Sequence, residues 1–449
     1  MRANHHNPLV KRNFRLGIIN GGIFLGAQAF LSPETVLPAF ALTMVGGNKI
    51  WVGIIAACTL SGFTWPQILL GRFFSTKTRL LPYYWLSAAF RGSTIVALTI
   101  IVWRFGDARG TFMFATVAGM LFLISSFGAI GLIPFMTIVS DSMPASSRGR
   151  FFGTRWLLGG LVGMCAGFVV KWILSEDSGL IFPMNYVCLF GSAAVLYTIA
   201  VLIFSLVKEP RHTPQSRQLT LRQELARGPR LIRRDSDWRL LLGARVSGMI
   251  AAGMSLPYLV PFALERLEAP QKLIGVLLSV MAASSAGANL IWSRLGDRRG
   301  NRALLMAAST LAVAPSVIAL SCYFVPDVAL GVWFGIPMTT RLLLLILAFV
   351  PMGCAKSGMA MGQTNFLLDI APNRRRSTYL GYSFVLMAPL AWWPVVGALI
   401  IGNDRFGLAF ALAACSAMVT VFLVSRLREP RAEDLAHGGG GPPLAAGGQ

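Results

Sequence analysis

Asp141-Ser142-Met143-Pro144-Ala145-Ser146-Ser147-Arg148 and Asp369-Ile370-Ala371-Pro372-Asn373-Arg374-Arg375-Arg376 are two copies of one pattern. In each, Asp-x-x-Pro is followed four residues later by Arg, and five residues beyond that by glycine, at Gly153 and Gly381. Each copy closes a long apolar block, the fourth and the tenth along the chain. Proline cannot continue a helix as it leaves a bilayer, and an arginine just beyond sits naturally among headgroups. Two such copies at equivalent places predict a duplicated architecture of six spans and six more.

Working outward, the apolar blocks fall at roughly 16–43, 50–71, 80–103, 111–139, 152–174 and 183–207, then 240–263, 272–293, 303–325, 340–368, 379–401 and 406–426. Crossing a bilayer core takes roughly 20 helical residues, which each block supplies. The 449 residues are 55% hydrophobic and 13% charged, about half the charge of a soluble protein. Backbone in lipid must bond within itself as helices or closed barrels, and these blocks lack the alternation of a barrel strand. The expected fold is all-α and polytopic, with twelve transmembrane helices in two pseudo-symmetric six-helix bundles.

A net charge of +22 raises the question of nucleic acid, and its placement answers it. About 29 of the 40 Lys and Arg fall at alternate gaps together with both termini, and about 8 at the other gaps. That is the positive-inside pattern, not a single basic face, so no nucleic-acid partner is expected. It predicts a multi-pass protein of the inner membrane with both ends cytoplasmic. The expected divisions are a first bundle over 1–207, a cytoplasmic linker over 208–239, a second bundle over 240–427 and a Gly/Pro/Ala tail over 428–449. Within the linker, Leu219 to Leu231 is amphipathic, which suits a membrane surface.

Six cysteines lie in or beside apolar blocks without Cys-x-x-Cys spacing, and the four histidines lie in tails or a loop. No metal site and no cofactor are expected. No phosphate loop for a hydrolytic motor is present either. Gly159, Gly163 and Gly167 have the small-xxx-small spacing of close helix packing.

The loop after the eighth block reads Leu295-Gly296-Asp297-Arg298-Arg299-Gly300-Asn301-Arg302. It resembles the signature loop of the major facilitator superfamily, with Ser293 in place of that pattern's first glycine. Pro144-x-x-x-Arg148-Gly149-x-x-x-Gly153 similarly resembles the family's loop between spans four and five. The resemblance implies a secondary transporter whose halves rock around a central site. It also implies a latch built from Asp297, Arg298 and Arg302, with Asp141, Arg148, Asp369 and Arg376 in the related loops. In physical terms, Asp297 is placed to cap a helix N-terminus and the arginines to pair with it or with lipid phosphates. The first-half loop departs from the pattern, with Ser75 where the Asp should be.

Glu34 is the acidic residue that falls well inside a predicted span, and it follows Ser32-Pro33. Charge at that depth is costly and usually faces a cavity or a partner. Pro33 and Pro38 are placed to break the helix beside it, which makes Glu34 the candidate proton or ion coupler. The open alternative is a hydrated, idle carboxylate near the surface. Arg91, Arg245 and Lys356 are the cations assigned to spans. Either one of them pairs with Glu34, or a net-positive cavity favours an anionic solute held by guanidinium forks. Asn20, Gln28, Asn289, Gln363 and Asn365 add amides, and Tyr258, Tyr382 and Trp392 add aromatic surface; both sets read equally as helix-to-helix packing.

The expected function is secondary active transport of a small molecule, with a lean to an anionic solute, in a monomer whose coupling, if by protons, runs through Glu34. A proton-coupled efflux pump for apolar or cationic compounds and a transporter-like sensor without flux remain alternatives. No catalytic residues are expected.

Overall fold

The computed structural model describes residues 8–70, 73–74, 76–108, 110–210, 221–333, 335–372, 376–402 and 404–429. Ser75 and the tail from 430 onward lie outside the described residues.

The first span is α1 (Pro8–Ala29) and α2 (Val36–Val45). Pro33 interrupts it, and Pro38 falls in the first turn of α2, where a missing N–H costs nothing. Then come α3 (Lys49–Leu69), α4 (Leu81–Phe105), α5 (Thr111–Ser142), α6 (Ala145–Ile173) and α7 (Met184–Ser205). The linker carries α8 (Leu221–Arg234). The seventh span is α9 (Ser236–Ser255) with α10 (Leu259–Arg266), and α11 (Leu273–Ser321) runs through the eighth and ninth. α12 (Thr340–Ile370), α13 (Arg376–Met387) with α14 (Trp393–Ile401), and α15 (Phe406–Ser425) complete the set.

Among the described residues, ten helical segments are long and apolar enough to cross a membrane. The broken first span adds one. Dividing α11 at Gly300, where φ is 85°, adds another and gives the expected twelve. One element departs from expectation: the gap between spans nine and ten folds as an antiparallel hairpin of β1 (Ala329–Trp333) and β2 (Ile336–Thr339).

The chain starts its first span and ends its twelfth on the same face, the one that carries the arginine-rich loops, here called the basic face. At the opposite face the halves share one buried core. It runs from Phe40, Tyr186 and Phe190 to Tyr258, Phe262, Phe349 and Phe406. At the basic face the second half has a separate core around Trp238, Phe366 and Tyr379. The halves are therefore joined at one face and parted at the other. Glycines make the join close. Gly167 abuts Ser279 and Gly275, Gly160 abuts Ala286, and Gly53 abuts Pro394 and the Tyr258 hydroxyl. α8 does not stand free; Gly228 packs on Tyr382, and Leu231 and Ile232 pack on the Trp238 cluster.

Both halves are closed at the basic face by one device. After the sixth span, Glu209 accepts from the Leu80 and Leu81 N–H groups at the start of α4, at 2.5 and 3.1 Å. After the twelfth, Glu429 accepts from Arg302 N–H at 3.0 Å, just past Gly300. Asn13 and Asp237, at the starts of spans one and seven, accept from the N–H groups of Lys208 and Arg428. Carboxylates at orphan helix N–H groups are favoured by both hydrogen bonding and the macrodipole.

Candidate functional site

Glu34 lies in the break of the first span, where Ser32 Oγ donates to its Oε2 at 3.3 Å. Across the gap, Lys356 Nζ from the middle of α12 meets Glu34 Oε1 at 2.5 Å. The Glu34 side chain is 13% exposed and that of Lys356 50%. A carboxylate from the first half thus holds an ammonium from the second, in the space between them. This decides the partner left open by the sequence: Glu34 pairs with Lys356, not with Arg91.

Arg91 stays inside the first half. Its guanidinium lies over the rings of Phe24 and Tyr197, at 5.3 and 5.1 Å, and its Nε is buried without an acceptor among the described residues. A buried guanidinium escapes sequence reasoning, because Arg155 is counted there with the loop arginines. It is 9% exposed, donates from Nη1 to Gly17 O at 2.7 Å and to Asn20 Oδ1 at 2.8 Å, and rests on Phe135 at 4.6 Å. A signal was present in the sequence. Gly17 and Gly21 are one turn apart on α1, and a Cβ at Gly21 would lie 2.1 Å from Arg155 Cγ. Asn20 also donates to Ala200 O at 2.7 Å, so it does pack helices together while orienting the guanidinium.

The other candidates do not converge on these groups. Tyr258 is fully buried and donates to Pro394 O within the second half, and Gly53 of the first half abuts its hydroxyl. Tyr382 lies edge-on to Trp238 at 5.9 Å. Trp392 is 50% exposed. Asn289 is buried with Nδ2 unpaired among the described residues. Gln28 is exposed, Gln363, Asn365 and Arg245 are half-buried, and the side chain of none of the four hydrogen-bonds to a described residue. Arg245 lies nine residues into its span, deeper than the sequence suggests, because α9 starts at Ser236.

At the opposite face, Lys49 Nζ meets Glu265 Oε2 at 2.9 Å and lies over the Phe406 ring at 5.2 Å. Gln271 donates to Thr43 Oγ1 at 3.4 Å, and Ser279 to Met164 O at 3.0 Å. Each of these crosses between halves, and their signal is weak in sequence because both charged partners sit at helix ends.

At the basic face the loops hold their own half together. Arg148 donates to Met143 O and Ser140 O, neutralising the carbonyl end of α5 as a cation there should. Asp141 is exposed. Asp369 Oδ2 accepts from Asn301 at 2.6 Å, and Arg302 Nη2 donates to Ser425 O at 2.9 Å. Asp297 and Arg298 are exposed and pair with no described residue, so the carboxylate that caps this helix start is Glu429. The Arg376 side chain lies outside the described residues.

A twelve-span protein with halves joined at one face, parted at the other, and a charge pair bridging the gap is built as a membrane transporter. The sequence profile of the Major Facilitator Superfamily matches residues 80–338 and 241–446, and the chain belongs to that family. It is similar in fold to a D-xylose-proton symporter, with a TM-score of 0.68 and 12% identity over 94% of this chain and 99% of that one. A bacterial homologue of the iron transporter ferroportin in its inward-facing state gives 0.64 at 11% identity, over 93% and 98%. The human organic anion transporter gives 0.62 at 15%, over 93% and 100%. No curated protein sequence matches the chain. At such identities the likeness is one of fold.

Proposed function

We propose that this transporter is a monomeric secondary active carrier of the inner membrane. Its basic face is cytoplasmic, and it moves a small anionic solute by alternating access with protons as the coupling ion. The observation that carries the reading is the Glu34–Lys356 pair at 2.5 Å between halves. Rocking of the halves changes the distance between these two groups, so the energy of the pair differs between states, and only such a differential interaction can bias the equilibrium. Protonating Glu34 removes the attraction and frees Lys356 for an anion or for movement. The parted basic face corresponds to an inward-open state, with Lys49–Glu265 closing the outer side. The net positive interior, with Arg91 and Arg155 unmatched by acids, supports an anionic solute.

The test uses proteoliposomes loaded with a pH-sensitive dye and challenged with a panel of metabolite anions. Glu34→Gln keeps the shape of the side chain and removes its titration. The wild type is expected to move protons with its solute. The variant should show no solute-driven proton flux while still exchanging labelled for unlabelled solute. Proton flux unchanged in Glu34→Gln would remove Glu34 from the mechanism.

A further inference from the structure

We propose that Arg91 and Arg155, with Asn20, Tyr84 and Tyr197, form a site for a small free oxyanion inside the first half, separate from the Glu34–Lys356 pair. It rests on the transporter reading only for its role as the solute site; binding itself does not depend on flux.

Two guanidiniums lie at membrane depth in one bundle, and the acidic residue at that depth, Glu34, is already held by Lys356. An unmatched charge at that depth is costly, so two of them favour a counter-ion strongly. The surroundings hold each guanidinium by its face and leave edges free. Phe135 underlies Arg155, while Phe24 and Tyr197 flank Arg91. Arg155 spends one nitrogen, Nη1, on Gly17 and Asn20; its Nε and Nη2 donate to no described residue. Arg91 Nε is buried and has no acceptor among the described residues. A buried donor without a partner is uncommon in a folded interior and points to a missing acceptor.

The two edges are in register for one ligand. Asn20, which holds Arg155, and Phe24, which underlies Arg91, are one turn apart on α1, a rise of roughly 6 Å. Tyr84 lies within electrostatic reach of both guanidiniums and of Tyr197. Two guanidinium forks, with Tyr84 in reach of both, suit the several acceptor oxygens of a phosphate, phosphonate or carboxylate better than a single-point halide. Gly128 leaves room for the Arg91 fork: a Cβ there would be 2.9 Å from Nη1. Sequence spacing alone could not reveal this site, since its two cations come from spans three and five and share no motif.

The experiment uses the full chain, purified in uncharged detergent and titrated with inorganic phosphate at constant ionic strength balanced by chloride, with thermal unfolding as readout. The wild type should show a saturable rise in melting temperature. Arg91→Gln and Arg155→Gln should each bind phosphate at least tenfold more weakly. Where those variants fail to fold, Asn20→Asp serves. Its carboxylate supplies an internal counter-charge beside Arg155, and the phosphate response should vanish while size-exclusion still shows a monodisperse protein. No phosphate response in the wild type, or undiminished affinity in the variants, would overturn the site. So would a response to micelles doped with phosphatidylglycerol but not to phosphate, since the ligand would then be a lipid headgroup. Phosphate binding without proton flux for any anion leaves the site standing and sinks the proton-coupled reading of the proposed function. Flux without phosphate binding does the reverse.

Discussion

The two halves of this transporter share a frame and differ in what the frame encloses. Glu209 and Glu429 close their halves in the same way, at the third span and the ninth. Asn13 and Asp237 seat the following backbone alike. Inside, the first half holds a buried Arg155 and a half-buried Arg91 against the rings of Phe135, Phe24 and Tyr197. The second half instead pairs neutral hydroxyls, Ser247 with Thr420 at 2.8 Å and Ser316 with Ser255 at 3.0 Å, with Arg245 half-buried nearby in α9. Hydroxyl pairs hold helices together at little cost in lipid, whereas buried guanidiniums are retained where charge has work to do. Duplication thus preserved the caps and left the interiors free to diverge.

The sharpest way to break this comparison is at one glycine in each half. In the first, Gly21→Ala drives a methyl into Arg155 Cγ, 2.1 Å from the new carbon. The guanidinium must then leave Gly17 and Asn20, and breaking a buried, hydrogen-bonded charge costs about 3–5 kcal/mol. The melting temperature of the purified protein should fall by roughly 10 °C or more, at about 2–4 °C per kcal/mol for a bundle of this size. A loss of only a degree or two would mean that Arg155 is not held as described. In the second half, Gly300→Ala meets a backbone φ of 85° and places its Cβ 2.3 Å from the Glu429 carboxyl carbon. Left-handed backbone costs alanine about 1–2 kcal/mol, and the displaced cap adds about 1, so a fall of roughly 5–10 °C is expected. The first-half loop reaches the same cap without such a residue, because none of its described positions has positive φ. Thr78→Gly, at the equivalent position, should therefore not be stabilising, and a gain there would show that the two loops are strained alike.

What the sequence could show follows from what kind of physics carries each feature. Span positions rest on local hydrophobic length, and all twelve were legible to within a few residues at most ends. The depth of Glu34 was legible for the same reason, since a lone carboxylate in an apolar block stands out. Its partner was not, because Lys356 is 322 residues away and only the packing of halves brings them together. Arg155 was hidden by its place near a basic loop. Depth along a helix says nothing of which way a side chain faces, and the Gly17–Gly21 groove that receives it lies on another span. The paired caps were hidden differently. Lys208-Glu209-Pro210 and Arg428-Glu429-Pro430 are plain repeats, but each read as an ordinary polar exit from the membrane, with no hint of the helix start it reaches back to.

The smallest expected effect concerns the residue that the family resemblance made most prominent. Asp297 sits in the signature loop, yet it is exposed, and the helix start beside it is capped by Glu429 from the far end of the same half. An exposed side chain with no described partner contributes little to folding, so Asp297→Asn should change stability by no more than about 0.5 kcal/mol, a degree or two in a thermal scan. Glu429→Gln, which weakens the bond to Arg302 N–H, should cost more than that. Were Asp297→Asn the more damaging of the two, the cap would belong to Asp297. The parallel between Glu209 and Glu429, on which the likeness of the halves rests, would then fail in the second half.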